Sequence, residues 1–575
     1  MNFGNGHLRC IGVLSLFLLA TACSKKAEPE ASVGADTVLQ NGYVYTVDAD
    51  RSVARAVAIT DGRIVYVGSD DGASGLIGDN TRVVDLQGRM LMPGFQDSHI
   101  HPIMAGIEAS ACDLNGLPGI PEYRSKILDY ATNNPDVPWI LGGGWAMSVF
   151  GPGGAPNKSI LDELVPDRPV YLSSQDGHTG WANSAALAIA GIDKNTPDPA
   201  DGRIDRDPVT GEAIGSLQEG AMSLVTDHIP PESLETQMAG LRYSVDLLNS
   251  YGITGIQDAI VYEDHLKAYT ELADHGELSL RVVAALWWEN REDLSQIEKL
   301  VALREKYTSD AFDARTVKVM QDGVMENYTA AMLEPYLVPS GTKGIPMIDP
   351  ELLKTVVSEL DAEGFQVHFH AIGDAAVRQS LDAIEEALID NGALGHRHHI
   401  SHLQMIDPAD IPRFRELDVV ANFQPLWAYA DEYITELTIP FIGEERARWM
   451  YPIKSVLDTG ATVAFGSDWS VSTANPYPQI ETAITRKSAI NDEIDAFLPE
   501  QRIDLASALA AFTINAAFVS RRDKDTGSIE VGKYADLVLL DQNLFEIEPK
   551  DISETTALMT MFAGRVVHGE LPGGN

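Results

Sequence analysis

Two histidines one residue apart, His99 and His101, stand in the segment PGFQDSHIHP. Residues i and i+2 of an extended strand face the same side, so both imidazoles can grip one divalent cation. Four further segments carry groups suited to the same chemistry. Lys318 lies in TVKVMQDG. Its ammonium cannot ligate a metal, but a lysine carboxylated by carbon dioxide becomes an anionic oxygen donor able to bridge two cations; the plainer reading is a lysine paired with a carboxylate. His370 stands at the end of FQVHFHAIGD, and His368 shares its face at a deeper level, where it reads as a core histidine. In HRHHISHLQMI, His402 lies at the strand's end on the face of His398, with His399 pointing the other way. His396, His398 and His399 read as supporting or surface residues. Asp468 ends the apolar run of AFGSDWSV, where a carboxylate can ligate a metal and handle a proton, or cap a helix.

The elements that would position these groups form a repeating pattern. RVVAALWW, TVKVMQDG, FQVHFHAIGD, HHISHLQMI, VVANFQPLW and TVAFGSDWSV read as strands, and DLSQIEKLVALREKY, PELLKTVVSELDAEG and AAVRQSLDAIEEALIDNG as helices between them. Repeated β-α units imply a parallel sheet, and their number favours a closed (β/α)8 barrel over an open doubly wound one. Each candidate group then falls at the C-terminal end of a strand, the face where barrel active sites sit. The segment from about 113 to 216 interrupts the alternation and is rich in Gly, Pro, Asn and Asp. It reads as an inserted α+β subdomain over one mouth of the barrel. Residues 36–93 and 523–575 are short β-rich runs broken by Asn-Gly and Asp-Gly turns, as in VLQNGYVYTVD and TALMTMFAGRVVHGE. They suggest one composite β-sandwich-like domain made from both chain ends, with the barrel spanning 94–522. No Gly-x-Gly-x-x-Gly opening a helix and no P-loop occurs, so nucleotide binding lacks support.

The chain has 575 residues, 45% hydrophobic and 22% charged, the range of a soluble globular protein with a sizeable core. Its net charge of -42 disfavours nucleic acid and anionic membrane surfaces as partners. At the N-terminus, Arg9 precedes an apolar run from Ile11 to Ala20 that is too short to span a bilayer but suits a secretory signal. The run ends in Leu19-Ala20-Thr21-Ala22-Cys23, which resembles a bacterial lipobox. Residues 1–22 are therefore expected to be a lipoprotein-type signal peptide, Cys23 the lipidated first residue, and 23–35 a polar tether. That places the protein outside the cytoplasm, on the outer membrane facing the periplasm, touching membrane only through its lipid. Of three cysteines, Cys10 leaves with the signal and Cys112 has no partner, so a disulfide framework is excluded.

The order HxH, Lys, His, His, Asp, with its flanking words PGFQDSHIHP, KVMQDG, HFHAIGDAA, ISHLQMI and FGSDWSV, resembles the amidohydrolase superfamily. The words, with GGGWAMSVFGPGGAPNKSILDELVPDRPVYLSSQDGHTGWANSAALAIAGI and the tail TGSIEVGKYADLVLLD, look like its amidohydrolase 3 branch, which includes N-substituted formamide deformylase-like proteins. The likeness spans nearly all of the chain after Ala35. It implies a distorted (β/α)8 barrel with a composite β-domain and one or two zinc ions. His99, His101 and Asp468 would surround one metal, His370 and His402 the second, with carboxylated Lys318 bridging. Asp468 would act as general base, and His178, in QDGHTGWANSAAL, would stabilise the oxyanion. Trp145 and Asn183 are weaker substrate-pocket candidates. Where the branch reads GWD this chain has Gly144-Trp145-Ala146, which removes a polar contact. The implied activity is hydrolysis of a non-peptide carbon–nitrogen bond in a small N-formyl, N-acyl or cyclic amide. A lactonase or esterase on the same centre is the alternative enzyme, and a lipid-anchored binding protein without catalysis the alternative class. A homodimer is compatible with all of these.

Overall fold

The computed structural model describes residues 34–309, 312–491 and 493–572. Eight strands lie side by side in chain order: Phe95–Ile100 (β1), Ile253–Val261 (β2), Arg281–Trp287 (β3), Phe312–Met320 (β4), Gln366–Ala371 (β5), His399–His402 (β6), Val420–Phe423 (β7) and Val463–Phe465 (β8). Every neighbouring pair is parallel. The sheet closes at β1 and β8, where Ser98 Oγ donates to the Phe465 carbonyl at 2.6 Å and the Asp468 amide donates to the His99 carbonyl at 2.8 Å. That closure sets aside the open doubly wound alternative and gives the distorted (β/α)8 barrel. It also explains Gly466: a Cβ there would stand 2.5 Å from the His99 nitrogen, so no larger residue lets the seam form.

The intervening helices follow ordinary start rules. Pro350–Ala362 has Pro at its first turn, and the Asp349 side chain accepts from the amides of Glu351 and Leu352. Deep in the barrel a polar belt crosses the axis. Thr316 Oγ1 and Gln257 Nε2 both donate to Gln366 Oε1, and Gln366 Nε2 donates to the Val519 carbonyl of helix Ile514–Val519. The N-terminal mouth is thereby plugged, leaving the C-terminal mouth for chemistry. The run VVANFQPLW is a strand only as far as Phe423. Pro425 has no amide to continue a ladder, and Pro425–Trp427 forms a 3-10 turn.

Both chain ends contribute to a six-stranded sheet in the order Arg565–Gly569, Ala557–Phe562, Leu537–Leu540, Met90–Pro93, Tyr43–Tyr45 and Val53–Ala54. Leu537 pairs with Pro93 and Leu539 with Leu91, antiparallel. A four-stranded sheet, Arg63–Gly68, Ala56–Thr60, Thr37–Gln40 and Arg82–Asp85, packs beside it. Arg281, at the start of β3, clamps buried Asp536 with two contacts of 2.6 and 3.0 Å and fixes this region to the barrel.

The Gly- and Pro-rich stretch after β1 is more ordered than its composition suggests. It builds a second six-stranded sheet, Gly202–Arg206, Ala213–Glu219, Thr179–Ala182, Val170–Ser174, Ile140–Trp145 and Cys112–Asp113, with an apolar core of its own. Contacts such as Gln175 Nε2 to the Val471 carbonyl at 3.0 Å hold it over the C-terminal mouth. Among the described residues no helix is long and apolar enough to cross a membrane. The signal, tether and Cys23 assignments lie outside the described residues, apart from the tether's last two positions.

Candidate metal centre

The strand ends bring the sequence candidates together. His99 lies in β1, and His101 just beyond it starts helix Pro102–Glu108 while its amide donates to the Trp469 carbonyl at 2.9 Å. Asp468 sits past β8 with φ +54°, a left-handed conformation that Asp tolerates better than most residues. That turn aims its carboxylate back over the barrel axis. Asp468 Oδ1 is 2.9 Å from His101 Nε2 and 3.3 Å from His99 Nε2, and Oδ2 is 3.8 Å from His402 Nδ1. The donor atoms of His99, His402 and Asp468 all lie within 4.8 Å of one another, and all three residues are buried.

This donor set fits a divalent cation. Imidazole and carboxylate are the ligands of zinc and related ions. His402 Nδ1 and Asp468 Oδ1 are buried without a hydrogen-bond partner, as is the His101 Nδ1 atom. His101 meets Asp468 Oδ1 through its other ring nitrogen, Nε2, at 2.9 Å. Buried polar atoms left in this state cost free energy that a cation would return.

Electrostatics agree. Burial alone would raise Asp468, but the adjoining His99, with His101 and His402, outweighs it and holds the carboxyl well below its usual range. Burial, then Lys318, pushes His99 down to about 3. Burial and neighbouring imidazoles likewise hold His370 and His402 far below the ordinary value. His99, His370 and His402 are therefore neutral imidazoles and Asp468 an ionised carboxylate, the forms that bind metal. Lys318 is 2% exposed, and burial lowers its ammonium to about 7, with Asp468 opposing part of the fall.

His370 stands somewhat apart. Its ring is 4.3 Å from that of His402, and its Nε2 faces the Gly323 carbonyl at 3.4 Å and Asp322 Oδ1 at 3.7 Å. His178 reaches the mouth from the inserted sheet, its ring 5.0 Å from His370. Its Nδ1 is 2.8 Å from Glu219 Oε2. Burial opposes charge on His178, but Glu219 prevails and raises it to about 9, so it is an imidazolium at neutral pH.

Two pocket assignments are corrected. Trp145 is fully buried in the inserted sheet's core against Phe150 and Trp181, and its indole N–H donates to the Leu172 carbonyl at 3.0 Å. No face is left for a substrate. Asn183 caps helix Ser184–Ile189: its Oδ1 accepts from Ala186 and Val170, and its Nδ2 donates to Val165 and Arg168, so its amide is spent. Trp145→Ala is accordingly expected to cost about 3–5 kcal/mol in chemical denaturation, with KM unchanged for the molecules that remain folded.

The face assignment in β6 is corrected as well. His398 looks outward, its Nε2 3.0 Å from Asp361, whereas His399 faces into the barrel with its ring 4.0 Å from that of His368. His402 reaches the site because it leaves the strand with φ +80°, not by sharing the face of His398.

Several contributors carried no motif. His368, read as a plain core histidine, lies 2.9 Å from His99 Nδ1 and 2.7 Å from Ser401 Oγ, which leaves His99 Nε2 to face Asp468. Trp427 stacks on His402 at 5.5 Å and 9°. Glu219, which charges His178, is brought in by the sheet pairing of its strand, a long-range event that local spacing does not announce.

Comparison with known proteins gives the family and agrees with the fold. The family model described as "Amidohydrolase family" covers residues 82–568. Protein LONG AFTER FAR-RED 3 of Arabidopsis thaliana is 34% identical over 560 residues, spanning 95% of this chain and 93% of that protein. N-substituted formamide deformylase of Arthrobacter pascens is 27% identical over 551 residues, spanning 92% and 97%. The crystal structure of a metal-dependent hydrolase from Pyrococcus furiosus superposes with a TM-score of 0.67 at 26% identity, covering 88% of this chain and 99% of that one. With a closed barrel carrying buried histidines and an aspartate at its C-terminal mouth, this chain is a hydrolase that belongs to the amidohydrolase family.

Proposed function

We propose that the protein hydrolyses a non-peptide carbon–nitrogen bond in a small N-formyl, N-acyl or cyclic amide, with Asp468 as general base. The convergence of His99, His101 and His402 on the buried Asp468 carboxylate carries the proposal. Similarity to a protein named for deformylating N-substituted formamides supports the substrate class. A divalent cation, zinc by this donor set, would be held by His99, His101, His402 and Asp468, with His370 and carboxylated Lys318 completing a second position, and would supply Lewis acidity that acidifies water and polarises a carbonyl. Asp468 is held ionised by its imidazole neighbours, ready to take a proton from water and return it to the leaving nitrogen. The lowered amine of Lys318 has a neutral fraction near pH 7, the form whose lone pair adds to carbon dioxide with loss of one proton. The His178 cation, paired with Glu219, stands where it can stabilise oxyanion charge. We further propose export and attachment of Cys23 to an outer-membrane lipid.

A hydrolysis panel of N-formyl amines, N-acyl amino acids, cyclic amides and lactones tests the reading. Turnover of an amide is expected; turnover of lactones alone would replace it with the esterase alternative. The role of His178 has its own signature. Its raised value means the charge is present below about 9 and is lost as pH rises through it, so kcat/KM should fall on that alkaline limb. Glu219→Gln should move the limb down toward the ordinary imidazole value of about 6.5, and a limb that stays in place would exclude the pair.

A further inference from the structure

Gln424 is fully buried, and both atoms of its carboxamide, Oε1 and Nε2, lack a hydrogen-bond partner among the described residues. Such a group is expensive to leave unmade, on the order of 1–3 kcal/mol. Its position says what it is for. It follows β7 directly, at φ −103° and ψ 85°. The strand register sets Val420 beside His399 and Asn422 beside Ser401, whose side chains both reach His368 inside the barrel. Two residues beyond Asn422, Gln424 continues that inward row to the C-terminal mouth. β7 lies between β6 and β8, the strands that deliver His402 and Asp468. The turn beginning at Pro425 then lays Trp427 over the His402 ring. An unspent donor and acceptor therefore belong to the residue that ends β7, between the two strands whose ends converge on one point.

Resting on the function proposed above, we propose that Gln424 is a substrate-recognition residue that selects amides over esters. Its Oε1 accepts the N–H of the scissile amide while its Nε2 donates to an oxygen of the same substrate. An ester presents no N–H, so binding one leaves Oε1 buried and unpaired, a mismatch that sites built to hydrogen-bond a substrate group punish heavily.

The test uses the fastest-cleaved amide of the hydrolysis panel and the ester that replaces its N–H by oxygen, on the metal-loaded enzyme. Gln424→Leu removes the carboxamide at similar size, and Gln424→Glu keeps an acceptor but loses the donor. For Gln424→Leu, kcat/KM on the amide should drop by roughly a hundredfold while the ester changes little, so the amide-to-ester ratio collapses. Metal content should stay as in the parent protein, and Tm should hold or rise because an unpaired buried amide is gone. Gln424→Glu should fall between. If amide and ester decline together, or if Gln424→Leu lowers Tm or metal content with the ratio intact, Gln424 is structural and the inference is overturned alone. A panel in which no amide is cleaved overturns the proposed function and this inference with it.

Discussion

Asp468→Asn should fold as the parent does, retain part of its metal, and lose about a hundredfold to ten-thousandfold in kcat. The substitution keeps the shape of the side chain and removes its charge and basicity. Asp468 lies beyond β8 in a left-handed turn that Asn tolerates equally, so backbone strain is not a competing explanation. What is lost is the one ionised carboxylate set among His99, His101 and His402 at 3.3, 2.9 and 3.8 Å. An amide there cannot take a proton from water near neutral pH. Circular dichroism and metal analysis beside steady-state rates separate the outcomes: unchanged turnover on a proven substrate removes Asp468 from its role.

Lys318→Ala is the second large effect. Lys318 stands in β4, in register with His368 of β5, and is buried, with Asp468 the charged group that acts on its ammonium. Even partners one shell removed from a metal cost ten- to a hundredfold when deleted, so losing a bridging donor should reduce activity by roughly a hundredfold or more. Carboxylation has a further signature of its own. Short carboxylic acids such as acetate or propionate should restore part of the activity and of the metal content, because they replace the carbamate oxygens in the space that the lysine leaves. A structural lysine gives no such rescue, and its absence with the fold intact would return Lys318 to the plainer reading of a charge-paired residue.

The fold and the site differed in how far they could be read from the chain. Periodicity announced the barrel because parallel strands buried on both faces, such as RVVAALW and TVKVM, are near-continuous apolar runs. The histidines and Asp468 were legible because metal chemistry restricts residue type so narrowly. What escaped were facts set by distant parts of the chain. The segment after β1 looks like loop by composition, and its six strands emerge only when Ile140–Trp145, Val170–Ser174 and their partners pair. Trp145 and Asn183 sit in suggestive words, but their polar atoms are consumed by backbone groups that the sequence does not place beside them. Strict alternation set His398 on the wrong face, since it cannot anticipate the left-handed residues His402 and Leu403 that end β6. Glu219 and His368 carry no motif, and only the pairing of their strands brings them to the site.

The central claim is that this mouth is a metal centre, and elemental analysis tests it most directly. Protein expressed in metal-replete medium and purified without chelator should carry one or two divalent ions per chain, zinc among them, by inductively coupled plasma mass spectrometry. Removing them should abolish amide hydrolysis, and restoring zinc should recover it. The ions should be largely lost from a His99→Ala, His101→Ala double variant. Protein that holds no metal after such expression, yet hydrolyses its amide at full rate, would contradict the account.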